Sequence, residues 1–309
     1  MGVVRGLYRY PVKSMVGEVL DGCVIGPAGV PGDRAYALID EEDGRLASAK
    51  NPRKWGALLG FRAAFVREPA ADAGEPVPPV VMTGPDGAEI RSDDPDCGVL
   101  LSKAIGRPVR LATTGQAGLS FEEVWPDIEG LAPEEFIDQT AVGRDEGTGD
   151  VVSAIPAGMF APPGTFFDLS VIHLLTTATL DRLAALDPEG TFDVRRYRPN
   201  VLVEVDGDGE AGSADSADSD GGFVENGWVG RAVTLGGGGA ALAVTLPTMR
   251  CVMTTLAQGD LPRDRSTLRT IAAHNRVEIA GFGTWACAGA YADVRTGGAV
   301  RVGDVVQVE

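Results

Sequence analysis

The sequence predicts an α+β protein that is rich in β-barrel structure and has a few short helices. Short runs of Val, Ile, Leu and Tyr recur along its 309 residues, and Gly and Pro separate them at close intervals. Only a few segments show the spacing of an amphipathic helix. Strands of this kind close into full or partial barrels, because closure gives every strand two neighbours.

In the first third of the chain we expect strands at residues 3–10, 18–25 and 35–39. A polar loop should follow at residues 46–53, where Pro52 stops any helix that begins upstream. A hairpin is predicted around residues 84–87, and a helix over residues 97–105, where four apolar side chains share one face.

Residues 115–164 are acidic, irregular and rich in proline, which predicts a linking segment with short helices of its own, one near residues 133–137. Beyond it we expect a strand over residues 167–177 and a helix over 179–186 that Thr176 or Thr177 caps. The remaining predicted strands are residues 201–205, 228–235 and 241–246, and a closing pair within 300–308 around a Gly-Asp turn.

Charge and hydropathy exclude some classes of protein. The formal net charge of -17 argues against non-specific nucleic-acid binding. Part of the excess is one Gly/Ser/Ala-rich stretch within residues 206–220, which reads as a solvated loop. No run of about 18 apolar residues and no signal-peptide pattern occurs, so we expect no membrane span and a cytoplasmic protein.

The four cysteines are spaced too irregularly for a disulfide framework or a CxxC metal site, and two histidines are too few for a multi-histidine zinc site. Cys251 is the candidate for chemistry, because the adjacent Arg250 favours the reactive thiolate form. The alternative is that Cys251 is a small buried hydrophobe, as most unpaired cysteines are.

Several cationic, hydroxyl and amide side chains stand at predicted strand ends or loops, where they suit a bound anion such as a phosphate. Each of the cations is also compatible with an ordinary solvated surface charge, and Asn200 with a turn. These residues are Lys13, Ser14, Arg34, Lys50, Arg53, Thr176, Thr177, Arg198, Asn200 and Arg250. We expect His173 to be a satisfied core histidine, and Trp125 and Trp285 to be packing residues, although a linker tryptophan could also border a substrate mouth.

Six short motifs occur in one order along the chain: YPVKS at residues 10–14, GDR at 32–34, HLLT at 173–176, RPN at 198–200, WVG at 228–230 and RCVMTT at 250–255. In this order they resemble MOSC-domain proteins with an N-terminal MOSC barrel, such as the mitochondrial amidoxime-reducing component and its bacterial relatives. The resemblance implies an N-terminal β-rich domain at residues 1–112, a linker at 113–165 and a MOSC domain at 166–309 with an acidic loop insertion at 206–222.

The resemblance also implies a molybdenum cofactor, a molybdopterin whose metal takes one protein thiolate. Cys251 matches the metal ligand and would be the catalytic residue. The positions that match the pterin-holding residues are Lys13, Ser14, Arg34, Thr176, Arg198, Asn200 and Arg250, to which we add the neighbouring Lys50 and Thr177.

The function so implied is an oxidoreductase that reduces small N-hydroxylated substrates. Since no ferredoxin-like domain follows the last strand, we expect electrons from a separate ferredoxin-, flavin- or cytochrome-type protein. Two alternatives stay open: a sulfur-transfer protein that carries a persulfide on Cys251, and a non-catalytic carrier of the cofactor.

Overall fold

The computed structural model describes residues 1–71, 75–113, 118–158, 161–162, 165–205, 222–237 and 239–309. Its strands are β1 (Gly2–Arg9), β2 (Glu18–Leu20), β3 (Gly22–Ile25), β4 (Ala37–Asp40), β5 (Arg62–Phe65), β6 (Val80–Thr83), β7 (Glu89–Arg91), β8 (Val109–Ala112), β9 (Ser120–Trp125), β10 (Ala141–Arg144), β11 (Val151–Pro156), β12 (Ile172–Thr176), β13 (Val201–Val205), β14 (Ala232–Leu235), β15 (Ala240–Met249), β16 (Arg276–Ile279), β17 (Gly283–Thr296), β18 (Gly298–Arg301) and β19 (Val305–Val308). Its α-helices are α1 (Pro52–Trp55), α2 (Cys97–Ile105), α3 (Glu134–Thr140), α4 (Thr177–Leu186) and α5 (Ser266–His274).

Seven strands form a closed barrel in the order β12-β13-β1-β19-β14-β15-β17, and pairing of β12 with β17 closes it. Side chains alternate between the two faces of each strand. On β13, Val201 and Val203 therefore join the core inside the barrel, while Leu202 joins a second core outside it, against α4 and α5. The expected α+β, barrel-rich fold is confirmed.

A smaller β-rich unit lies in the N-terminal part of the chain. It contains the pair β4–β8, the meander β5-β6-β7 and helix α2, which enclose a core of their own that includes Trp55 and Phe61. Strand β1 belongs to the large barrel, where it pairs with β13 and β19, and β3 pairs with β18. Strands β1 and β3, near the start of the chain, therefore pair with strands from its second half. The division into domains at residues 112 and 165 remains a proposal.

The middle segment has regular structure of its own. Strands β9, β10 and β11 form an antiparallel sheet, with α3 packed beside β11. The expected helix near residues 133–137 is confirmed as α3, and the helix over residues 97–105 is confirmed as α2. The acidic stretch 206–221 lies outside the described residues.

Three strand predictions were too long. The run 18–25 divides at Asp21 into β2 and β3, which pair with different strands. The strand expected over 167–177 begins only at Ile172. Of residues 228–235, only β14 is extended, because a 3-10 turn ends at Trp228 and Gly230 takes the left-handed conformation.

Two other predictions need correction. The loop expected over residues 46–53 ends at Asn51, because Pro52 begins α1: the first helical residue has no hydrogen-bond partner for its N–H and proline lacks one, and Asn51 caps the helix. The closing strands are present as β18 and β19, yet they do not pair with each other: β18 pairs with β3, and β19 with β1 and β14.

Within the described residues, no helix is both long and apolar enough to cross a membrane.

Candidate functional site

A cavity of about 350 Å³ lies where the barrel, the N-terminal unit and the middle sheet meet. Its volume falls in the range of small-molecule and cofactor sites. Six cationic side chains line it, against three carboxylates, in a protein with a large negative net charge. The cations are Lys13, Arg34, Lys50, Arg196, Arg198 and Arg250.

The backbone at this cavity is strained. Ser14, Arg34 and Arg198 have φ of 65°, 48° and 56°, in the left-handed region that residues other than glycine rarely adopt. Only one other described residue besides glycine, Phe223, shares this conformation. Such strain costs on the order of 1–3 kcal/mol per residue and clusters at ligand sites. All three of these strained residues line the cavity.

A chain of ion pairs joins distant parts of the sequence at the cavity. Lys13 Nζ donates to Asp168 Oδ1 at 2.6 Å and to the Phe166 carbonyl at 2.8 Å. Lys50 Nζ lies 3.1 Å from Glu123 Oε2 and 3.6 Å from Asp168 Oδ2. Burial would raise the pKa of Asp168, but Lys13 and Lys50 outweigh it and hold that pKa well below its usual range.

A second network orients the arginines. Asp33 forms an ion pair with Arg34 and accepts from the Tyr10 N–H at 2.7 Å and from Asn200 Nδ2 at 2.9 Å. The Tyr10 ring lies 4.8 Å from the Arg34 guanidinium and 4.2 Å from that of Arg198. Asn200 Oδ1 accepts from the His173 N–H at 3.0 Å, which ties the turn before β13 to β12.

Three buried guanidinium groups at the cavity form no ion pair with a carboxylate among the described residues. That of Arg196 is instead satisfied by four backbone carbonyls, those of Thr191, Thr254, Leu256 and Pro262. The other two make fewer hydrogen bonds. Arg198 Nη1 donates to the Met15 carbonyl at 2.8 Å, and Arg250 Nη2 to the Tyr197 carbonyl at 3.0 Å. Each of these two arginines is 8% exposed. Burial lowers the pKa of Arg198 to about 10, and Arg250 Nε has no hydrogen-bond partner. Because a buried cation is costly without a counter-charge, this pair points to an anionic ligand.

Cys251 lies two residues after the end of β15, just before a 3-10 turn, Val252–Thr255, and it lines the cavity. It is a free thiol, as are the other three cysteines. Burial raises the pKa of the Cys251 thiol. Two nearby cations lower this pKa, Lys50 more strongly than Arg250. Arg250 therefore favours the thiolate as expected, but burial outweighs it and the larger cationic influence comes from Lys50.

The cavity brings together eight of the site residues expected from the sequence: Lys13, Ser14, Arg34, Lys50, Arg198, Asn200, Arg250 and Cys251. Thr176 and Thr177 do not line it. Thr176 Oγ1 donates to Glu225 Oε2 at 2.7 Å and accepts from the Thr179 N–H, so it caps α4 as expected. Thr177 is the first residue of that helix.

Sequence reasoning missed Glu123 and Asp168, the carboxylates that hold the lysines. Glu123 stands in β9, within the segment expected to be a linker, and Asp168 in the segment expected to be a strand. Alternation along β9 was the available signal, since Phe121, Glu123 and Trp125 share one face and all line the cavity. His173 is buried, but it is not the satisfied core histidine that we expected: its Nε2 atom has no hydrogen-bond partner among the described residues, and the ring lines the cavity.

The geometry defines a buried, cation-rich ligand site beside one free thiol. Two family models match the chain: the MOSC domain at residues 163–307 and the MOSC N-terminal beta barrel domain at residues 1–57. Together they cover more than half of the chain, which therefore belongs to the MOSC-domain proteins. A search of curated proteins found no match. MOSC domains are associated with molybdenum-cofactor binding and with sulfurase-like proteins.

The residues present fit such a cofactor. In the described part of the chain, no group of three or more His, Cys, Asp or Glu side chains could hold a metal ion alone. One thiol in a cation-lined cavity suits a metal that an anionic organic ligand carries in, and Cys251 would supply the protein thiolate. Arg198 and Arg250, which form no ion pair with a carboxylate among the described residues, would offer their guanidinium groups to the phosphate of that ligand.

Proposed function

We propose that this protein is a molybdenum-cofactor-dependent oxidoreductase that reduces N-hydroxylated substrates with electrons from a separate redox protein. The observation that carries the proposal is that one cavity is lined by the Cys251 thiol and by the buried guanidinium groups of Arg198 and Arg250, which form no ion pair with a carboxylate among the described residues and each donate to a backbone carbonyl. An anionic cofactor would supply the missing counter-charge, and its metal a site for two-electron reduction.

In this proposal each residue has a defined task. Arg198 and Arg250 bind the cofactor phosphate, while Lys13, Ser14, Arg34 and Asn200 shape the cavity around the pterin. Cys251 ligates the metal through its deprotonated Sγ, which Lys50 favours electrostatically. Thr176 and Thr177 act indirectly, by fixing helix α4.

The reaction breaks the N–O bond of the substrate. Two electrons from the donor protein and two protons from solvent convert the N–OH group to N–H and release one water molecule.

The test is metal and pterin analysis of protein made in a cofactor-competent host, together with reductase activity. We expect near-stoichiometric molybdenum and pterin, and a Cys251→Ala variant that loses at least about 100-fold in activity, because the metal loses its protein ligand. A Cys23→Ser variant is the matched control, since Cys23 is also half-buried but lies on β3, outside the cavity.

Near-zero cofactor content in a folded protein would contradict the proposal. A labile extra sulfur on Cys251 without bound metal would indicate a sulfur-transfer protein, for which mass spectrometry is the measurement. Bound cofactor without reduction of any N-hydroxylated compound would indicate a carrier.

A further inference from the structure

Strand β9 lies along the cavity and presents Phe121, Glu123 and Trp125 to it from one face. At about 3.3 Å per residue, Phe121 and Trp125 are roughly 13 Å apart. Positions along β9 can therefore be used to describe how the lining of the cavity changes from one end to the other.

The side chains that line the cavity change from cationic to aromatic along β9. At Phe121 the lining is cationic, with the ammonium groups of Lys13 and Lys50 at 5.6 and 4.8 Å from the ring centroid. At Glu123 lies the ion pair with Lys50. At Trp125 the lining becomes aromatic. Cys251 lies near this aromatic end, because the Arg250 N–H donates to the Ala286 carbonyl at 2.9 Å, so that Cys251 and Trp285 each adjoin one member of a bonded pair.

The aromatic end is a wall of three rings, Trp125, Phe136 and Trp285, called the aromatic wall here. Trp125 lies 6.0 Å from Phe136 in an edge-to-face arrangement and 6.0 Å from Trp285, and Phe136 lies 5.0 Å from Trp285. Both indole N–H groups are occupied: that of Trp125 donates to Ser153 Oγ at 2.8 Å and that of Trp285 to the Phe282 carbonyl at 2.7 Å. The wall is fixed and offers hydrocarbon to the cavity.

If the cationic side chains of the cavity hold the cofactor and the reaction occurs beside Cys251, the aromatic end is left for the substrate. We propose that the aromatic wall is the subsite for the organic group of the substrate and selects flat aromatic N-hydroxylated compounds over aliphatic ones of the same size. This inference rests on the proposed function. Aromatic rings gain from edge-to-face and offset packing beyond the area that they bury, by a factor of about three to ten in affinity.

The first test compares benzamidoxime with its cyclohexyl counterpart, which has the same number of carbon atoms but a puckered ring. With the cofactor-loaded protein we expect a three- to tenfold lower KM for benzamidoxime. Trp125→Leu should abolish this preference, whereas Trp125→Phe, which keeps an aromatic ring, should retain it. Phe136→Leu is a second variant at a less buried position, and Trp55→Phe, in the separate N-terminal core, is the control.

The second test measures binding without turnover, through tryptophan fluorescence. The sequence has four tryptophans, and only Trp125 and Trp285 line the cavity. In a Trp55→Phe/Trp228→Phe variant all of the emission comes from these two. We expect saturable quenching by benzamidoxime, with the cyclohexyl compound requiring about three to ten times the concentration.

The outcomes separate the two proposals. Equal KM values and equal quenching for both compounds, or no quenching by benzamidoxime, would overturn the aromatic subsite while leaving the proposed function in place. Selective quenching by benzamidoxime in a loaded protein that reduces neither compound would support the subsite and overturn the proposed function.

Discussion

At the scale of single residues, Glu225 shows how buried polar groups support the site from outside it. Its carboxylate accepts from the hydroxyls of Thr176 and Thr179 at 2.7 Å and from the Gly289 N–H at 3.0 Å. These donors come from the N-terminus of α4 and from β17, so one side chain joins a helix to a barrel strand. Burial raises the pKa of Glu225, and the threonine hydroxyls oppose this shift.

We therefore predict that Glu225→Ala lowers the free energy of unfolding by about 2–4 kcal/mol, because it leaves three buried donors without an acceptor. Urea denaturation monitored by circular dichroism is the measurement. Glu189→Gln, at an exposed turn, should cost less than about 0.5 kcal/mol. Equal, small effects of both substitutions would contradict this role of Glu225.

At the scale of elements, β17 must approach β12 closely for the barrel to close. Gly289 has φ of 92°, and a Cβ atom there would stand 2.7 Å from the Leu174 carbonyl oxygen and would overlap the His173 ring. Gly303 has φ of 93° but no neighbour within 4 Å of such a Cβ. The two glycines thus share a conformation and differ in the space around them.

This contrast gives a matched pair. Both Gly289→Ala and Gly303→Ala should suffer the strain of the left-handed backbone, roughly 1 kcal/mol. Gly289→Ala should lose at least about 2 kcal/mol more, because the barrel seam has to open to admit the methyl group. Thermal unfolding of the two variants measures the difference, and equal midpoints would show that the seam is not tightly packed at this position.

Elements with a local signal were well predicted from the sequence. Helix α2 has the bounds that its apolar face indicated, and the hairpin β6–β7 has the turn that residues 84–87 specify. Strand partners were not predictable, as β18 and β19 show: a sequence indicates a turn between two strands but not that each pairs with a distant strand. Helix α5 and strand β17 were not predicted from the sequence.

For the molecule as a whole, the Lys13–Asp168–Lys50 chain joins the N-terminal third to the barrel, so its charge state should affect global stability. The pKa of Asp168 is depressed in the fold despite burial, whereas an aspartate in an unfolded chain titrates near pH 4. A depressed carboxyl pKa stabilises the fold above about pH 4, and this contribution is lost as the pH falls.

We predict that Asp168→Asn is less stable than the parent protein, by an amount that stays constant from pH 7 to about pH 5 and shrinks as the pH falls below about 4. The amide keeps the shape of the side chain but cannot ionise, so its stability depends less on pH in the acid range. Denaturant unfolding at several pH values provides the measurement, with Glu189→Gln as the control that should follow the parent. If the difference in free energy of unfolding between the two proteins did not change down to about pH 3, the ion pairs of Asp168 would not be its cause.

The sequence alone determined the local features: the alternation that makes strands, the caps and turns that bound them, the lone thiol beside a cation, and the ordered motifs that resemble the MOSC family. Tertiary structure decided which of these residues meet. It placed Lys13, Arg198 and Cys251 around one cavity but put Thr176 into a separate network with Glu225. It also added Glu123 and Asp168, because partners of buried charges are chosen by proximity in space, which barrel closure sets and spacing along the chain does not.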